Sequence, residues 1–152
     1  MRKVISPFSY NVELYKQIKD ILQKPIDVSR LPIVGESKIF KSSAERYGHV
    51  IIKLDLETEG NYYNSLAKYN YKWEVNEHEL FPYGYTPIPQ KFEHMIVNEI
   101  EVFALLLDFL NDNVPPLRFT VIGGSNNLTE RPYFNRATAE AIVLIFKQLH
   151  QD

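Results

Sequence analysis

Residues Phe92–Leu110 read FEHMIVNEIEVFALLLDFL, and this stretch decides the fold because it is the longest segment that is typical of a single buried element. At about 100° per residue, its apolar side chains cover most of the circumference of a helix. The polar side chains that remain form a narrow stripe, consisting of His94, Asn98, Glu101 and Asp108. Such a helix must be covered by other elements on most sides, so the sequence predicts a central helix at about 91–110.

Glu99 breaks the apolar pattern of this helix, since it projects between Met95 and Leu106 on one side and Phe103 on the other. We expect its carboxylate to be at least partly buried. A buried carboxylate needs a cationic or hydrogen-bonding partner, or its pKa rises until the group is neutral. Perturbed carboxylates are enriched at functional sites, but structural ion pairs also perturb pKa values, and we favour the structural interpretation.

Length and composition indicate one domain over residues 1–152. The chain has no cysteine, which excludes disulfides, thiolate metal sites and cysteine nucleophiles. The N-terminal sequence MRKVISPFSY lacks the apolar run of a secretory signal, and no window approaches the 18 or so apolar residues of a membrane span. We therefore expect a soluble, cytoplasmic protein with no membrane partner.

The net charge of −2 conceals an asymmetry between the two halves of the chain. Residues 1–76 contain 12 Lys and Arg against 9 Asp and Glu, whereas residues 77–152 contain 5 against 10. Neither half has the clustered Lys and Arg of a nucleic-acid-binding protein. The acidic second half favours a basic partner through electrostatic steering, although a solvated surface also explains it.

Three segments alternate between apolar and polar residues, as strands with one buried face do. The clearest is His49–Glu57, HVIIKLDLE, in which Val50 and the alternate residues after it point towards the core. Tyr69–Val75 is a strand with an aromatic face, and Leu117–Val121 is a third strand. We expect the first two to pair in antiparallel fashion, because the connection between them is short.

Two further helices complete the prediction. An N-terminal helix begins between Ser6 and Asn11 and ends before Pro25, and a C-terminal helix spans about 136–150. Residues 25–43 are predicted to be an ordered connection with a brief strand near 38–40. The fold class is therefore α+β, an antiparallel sheet of three to four strands packed against the central and C-terminal helices, with an N-terminal helix.

Eight of the twenty aromatic residues lie between Tyr62 and Tyr85. Three prolines and a glycine preclude regular structure in residues 80–89, LFPYGYTPIP. A rigid loop of this kind presents aromatic rings as interface hot spots do, or else its rings form a lid over the core. The partner-binding candidates in and beside this loop are Trp73, Glu77, Glu79, Phe81, Tyr83 and Tyr85.

Reactive motifs are weak in this sequence. His49 shares a strand face with acidic residues, but successive side chains on that face are about 7 Å apart and are also typical of a solvated surface. Gly123-Gly124 follows the third strand and could hold an anion, although it matches no phosphate-loop motif. Glu77-His78-Glu79 lacks the spacing of metal ligands, so we predict no metal and no cofactor. The alternative ligand-site candidates are His49, Asp55, Glu57, Glu99, Gly123, Gly124 and Arg131.

These patterns favour a non-catalytic protein-binding module, including the inhibitor or immunity type of protein that masks a partner. The alternative is a small enzyme or ligand-binding domain that acts on a small or phosphorylated molecule. A third interpretation rests on the broad apolar faces of the last two helices, which are also typical of a subunit in a larger assembly or homo-oligomer.

Overall fold

The computed structural model describes residues 12–41, 45–60, 67–128 and 131–151. Its helices are α1 (Val12–Leu22), α2 (Glu93–Leu110) and α3 (Phe134–Leu149). Its strands are β1 (Ile33–Lys41), β2 (Arg46–Leu56), β3 (Tyr69–Trp73), β4 (Thr86–Pro87), β5 (Leu117–Asn126) and β6 (Arg131–Pro132). Short 3₁₀ turns occur at Val28–Arg30, Pro82–Gly84 and Gln90–Phe92.

The predicted α+β class is confirmed, but the described residues form a sheet of six strands and not three to four. Two of the additional strands are only two residues long, β4 and β6, and carry no periodic signal. The larger error concerns residues 25–43, which we expected to be mainly a connection. Strand β1 occupies nine of them. Its inward positions include Gly35 and Ser37, which are too small and polar to mark a buried strand face.

The four long strands lie in the order β1-β2-β5-β3. β2 is antiparallel to both β1 and β5, whereas β3 is parallel to β5. The expected pairing of β3 with β2 is therefore wrong, because β5 lies between them. β5 is buried on both faces at Phe119, Thr120 and Val121, which suits a central strand. The connection through α2 supplies the crossover that parallel neighbours require.

The helices form a second layer on one face of the sheet. α3 packs against β1 and β2, and α2 packs against α3. A Cβ at Gly35 would meet the carbonyl oxygen of Ala141 and lie 2.7 Å from Ile145 Cγ1, so this glycine permits the close approach of α3 to β1. The core between the layers includes Ile52 and Leu54 of β2, on the face that the alternation predicts.

The central helix is confirmed at Glu93–Leu110, and its buried residues include Ile96, Ile100, Phe103 and Leu107. The predicted C-terminal helix is also present and begins at Phe134. The N-terminal helix is present as α1, but its predicted start between Ser6 and Asn11 lies outside the described residues. Within the described part of the chain, no helix combines the length and the apolar character that crossing a membrane requires.

Candidate functional site

We call the sheet face opposite the helices the open face. Alternation along β2 places Tyr47, His49, Ile51, Lys53 and Asp55 on this face. The strand register adds Glu36, Lys38 and Phe40 from β1 and Ser125 from β5. Two groups of side chains lie at one end of this face, a polar cluster and a set of aromatic rings.

Hydrogen bonds connect the polar cluster into a chain of four side chains. The Ser125 hydroxyl lies 2.7 Å from the Tyr47 hydroxyl and 2.7 Å from His49 Nδ1. On the other side of the imidazole, His49 Nε2 lies 2.6 Å from Glu36 Oε2. Ser125 is directly opposite His49 in the antiparallel register, which brings the two side chains within hydrogen-bonding distance.

A β-bulge in β5 keeps Ser125 on the open face. Ile51 pairs with Gly123 whereas Ile52 pairs with Val121, so Ile122 is an extra residue. Because side chains alternate between faces, the same residues in a strand without this bulge would turn Ser125 towards the helices. The expectation that Gly123-Gly124 follows the third strand is therefore wrong, since both glycines lie within β5.

Gly124 is required by close strand packing and not by anion binding. Its φ is +139°, and a Cβ there would meet the carbonyl oxygen of His49 and lie 2.5 Å from Ile88 Cδ1. Any side chain at this position would displace β2 or Ile88. The backbone of this segment is therefore engaged in the sheet and does not form an open nest for a phosphate.

The cluster contains the residue types of a serine hydrolase relay, a hydroxyl, an imidazole and a carboxylate. A nucleophilic serine must present its oxygen to the substrate, but Ser125 is only 2% exposed and its hydroxyl contacts both Tyr47 and His49. The ring of Phe81 packs edge-on against His49 with 6.5 Å between centroids. The arrangement is therefore suited to fixing side chains on the open face.

The residues of the alternative ligand site lie in four different places. His49 and the two glycines are neighbours, as described above. Asp55 lies six residues further along β2, about 20 Å away at the usual strand rise, where it is 4.0 Å from Arg118. Arg131 lies on β6, paired with the beginning of β2, and Glu99 lies on α2 in the helix layer.

Glu57 is engaged by its own neighbours at the end of β2. Its Oε1 accepts a 2.9 Å hydrogen bond from the Glu59 amide. Burial works to raise the pKa of the Glu57 carboxyl, but the Glu59 hydrogen bond and the charge of Arg118, among other interactions, lower it below its usual value. A carboxylate stabilised in this way is a poor proton acceptor.

Glu99 is buried as expected, and burial raises the pKa of its carboxyl to about 7. Its Oε2 has no hydrogen-bonding partner. Among the residues that the structure describes, no group of three or more His, Cys, Asp or Glu side chains is placed to hold a metal ion.

The aromatic loop, residues 80–85, lies beside the polar cluster. Tyr85 packs against Tyr47 with 5.4 Å between ring centroids, and Tyr83 packs against Tyr85 at 5.9 Å. Leu80 and Tyr83 are 94% and 89% exposed. The loop thus contains both of the arrangements that the sequence left open, since Phe81 and Tyr85 cover the sheet while Leu80 and Tyr83 project into solvent.

Tyr83 has an unusual backbone conformation. Its φ is 62° and its ψ is 19°, in the left-handed region that costs a residue with a Cβ roughly 1–2 kcal/mol. Gly84 follows with φ 73°. Strain of this kind in an exposed aromatic residue is a signal of function, because such conformations cluster at ligand-binding and switch regions.

The other predicted partner-binding residues are divided between the surface and the core. Glu77 and Glu79 are exposed, whereas Trp73 is half-buried and packs against the core. Sequence reasoning missed Phe40, Tyr47, Leu80, Ser125 and Glu36. The alternation of Val34, Glu36, Lys38 and Phe40 along β1 is the signal that places two of these on the open face.

No family model and no curated protein matches this chain. Among solved structures, the chain is similar to the crystal structure of ttk003000868 from Thermus thermophilus, with 17% sequence identity and a TM-score of 0.50. The match covers 78% of this chain and only 16% of the Thermus chain. At this identity the similarity concerns the fold alone.

Proposed function

We propose that this protein is a non-catalytic protein-binding module that uses the aromatic loop and the adjoining end of the open face to cover a basic surface of a partner protein. It acts by masking that surface, as inhibitors and immunity proteins do. The observation that carries the proposal concerns Tyr83, which is 89% exposed while its backbone is held in a left-handed conformation.

Packing beneath the aromatic loop supports the backbone that carries the exposed ring. Tyr85 rests on Tyr47, which is itself fully buried and hydrogen-bonded to Ser125. Phe81 rests on His49, which Glu36 holds from the other side. A preorganised aromatic side chain loses little conformational entropy on binding, which is why such residues contribute strongly to interfaces.

The charge around the loop supports a basic partner. Residues 73–90 contain three glutamates, Glu74, Glu77 and Glu79, and neither lysine nor arginine. All three are exposed, so this segment presents an acidic rim beside the apolar Leu80 and Tyr83. An apolar centre with a charged rim is the usual anatomy of a protein interface, and complementary charge on the partner would accelerate association.

The test is affinity capture from the lysate of the native host, with quantitative mass spectrometry. Wild-type protein is compared with Tyr83→Ala and with Phe109→Ala, a matched control because Phe109 is 82% exposed on α2 in the helix layer. We expect one basic protein in near-stoichiometric amount with wild type and Phe109→Ala, and its loss with Tyr83→Ala.

Binding of the recovered protein is then measured by calorimetry. Loss of Tyr83 should weaken binding by at least the 2 kcal/mol or so that defines a hot spot, whereas the melting temperature should change little because the ring makes few contacts. Equal capture by wild type and Tyr83→Ala, or recovery of the bait alone, would refute the proposal.

A further inference from the structure

Strand β1 forms an outer edge of the sheet. Within the described part of the chain, it pairs with β2 alone. The carbonyl oxygen of Val34 accepts a hydrogen bond from Gln148 of α3, so the backbone of Val34 points away from β2. Because backbone groups of alternate residues point the same way in an antiparallel strand, the amides and carbonyls of Glu36, Lys38 and Phe40 also face outward.

We propose that β1 pairs with β1 of a second copy of this chain, antiparallel and centred on Ser37. In this register Glu36 lies opposite Lys38 of the second copy, and Val34 lies opposite Phe40 of the second copy. All four positions carry outward backbone groups, so they form the hydrogen-bonded pairs of the new ladder. This inference does not depend on the proposed function.

The side chains of β1 are complementary to themselves in this register. An edge strand usually avoids association by placing charges where a second copy would repel them. Here each acidic side chain meets a basic one, and opposite charges directly across an antiparallel pair are favourable. Val34 and Phe40 are both exposed, and they meet each other at the two ends. The hydrogen bond between Glu36 and His49 uses Oε2 of the carboxylate, so the proposed contact with Lys38 of the second copy would use Oε1.

Helix α3 provides a second feature along the same edge. Glu140 contacts Ser37 of β1, and Gln148 contacts Val34, so this side of α3 leans over β1. Leu144 lies between them at the spacing of one helix face, and it is an exposed large apolar residue. A two-fold axis through Ser37 brings the α3 helices of the two copies side by side, where Leu144 becomes covered.

The same symmetry has a consequence for the open faces. When two antiparallel strands join two sheets edge to edge, the two-fold axis is perpendicular to the sheet. The two open faces then lie on the same side of the assembly. A dimer of this kind presents two aromatic loops in one direction and would engage a repeated or dimeric partner with increased avidity.

The test is solution mass by sedimentation velocity over a range of concentrations. We expect wild type to form a dimer as the concentration rises, and the variants Glu36→Lys and Lys38→Glu to be monomers because each places like charges opposite one another. An equimolar mixture of these two variants should form a heterodimer, since each lysine then faces a glutamate. Lys91→Glu, a charge reversal at an exposed residue outside β1, is the control and should remain dimeric.

A second measurement protects the test against misfolding of Glu36→Lys, which loses the His49 contact. Hydrogen exchange of wild-type protein should show that the outward amides of Glu36, Lys38 and Phe40 become protected as concentration rises. A wild type that is monomeric at every concentration, dimers that survive Lys38→Glu, or two folded variants that do not associate when mixed would each overturn the proposal.

Discussion

Replacement of Glu99 by glutamine should change how the stability of this protein depends on pH. Glu99 is buried on α2, and burial raises the pKa of its carboxyl from 4.5 to about 7. The folded protein therefore holds a proton on this group between pH 4.5 and 7 that the unfolded chain has released. Because the folded state binds more protons in that range, the free energy of unfolding falls as pH rises through it.

The size of the effect follows from the pKa difference. Each pKa unit corresponds to about 1.4 kcal/mol, so ionisation of Glu99 should remove about 3 kcal/mol of the free energy of unfolding between pH 4.5 and 7. This is a large fraction of the stability of an ordinary domain. Glutamine preserves the shape of the side chain and does not titrate, so it should abolish this part of the pH dependence.

The assay is urea denaturation of wild type and Glu99→Gln at several pH values from about 4.5 to 8. The difference between their free energies of unfolding should change by about 3 kcal/mol in favour of the variant as pH rises. Glu77→Gln, a substitution at an exposed carboxylate, is the control and should follow the wild type. Parallel curves for wild type and Glu99→Gln would refute the argument.

Three further substitutions test the core, the polar cluster and the loop by the same denaturation assay. Phe103→Ala should lower the free energy of unfolding by about 3–5 kcal/mol, because it leaves a cavity at a fully buried position, and a loss below about 1 kcal/mol would contradict this. Ser125→Ala should cost about 1–3 kcal/mol, because Tyr47 and His49 lose their shared partner, and no change would mean that the cluster is not structurally coupled. Tyr83→Gly should be more stable than Tyr83→Ala by about 1 kcal/mol, because only glycine relieves the left-handed strain. Equal stability of those two variants would contradict that strain.

Periodicity predicted the elements whose buried residues are large and apolar. Ile96, Ile100, Phe103 and Leu107 mark α2, and Val50, Ile52 and Leu54 mark the buried face of β2. Most of β1 was not predicted, because its inward positions include Gly35 and Ser37. Gly35 makes room for α3, and Ser37 forms a hydrogen bond with Glu140. Packing against a helix selected small residues there, and small residues give no hydrophobic signal.

The order of the strands in the sheet could not be predicted from patterns within each segment. The neighbours β3 and β5 are separated in sequence by the whole of α2, and nothing within either segment specifies the other. The polar cluster depends on the same long-range information. Alternation placed His49 on the outward face, but its partner Ser125 reaches that face only because Ile122 forms a bulge, which shifts the period by one residue.

The central position of β5 determines the order in which the fold can assemble during synthesis. When the ribosome has made β1, β2, β3 and α2, the strand that joins β2 to β3 has not yet emerged. The nascent chain then carries an unpaired β2 edge beside apolar residues such as Val50 and Ile52, a surface prone to association with other chains. Completion of the sheet must wait for residues 117–126, so this fold closes only after that strand has emerged, through long-range contacts that form slowly.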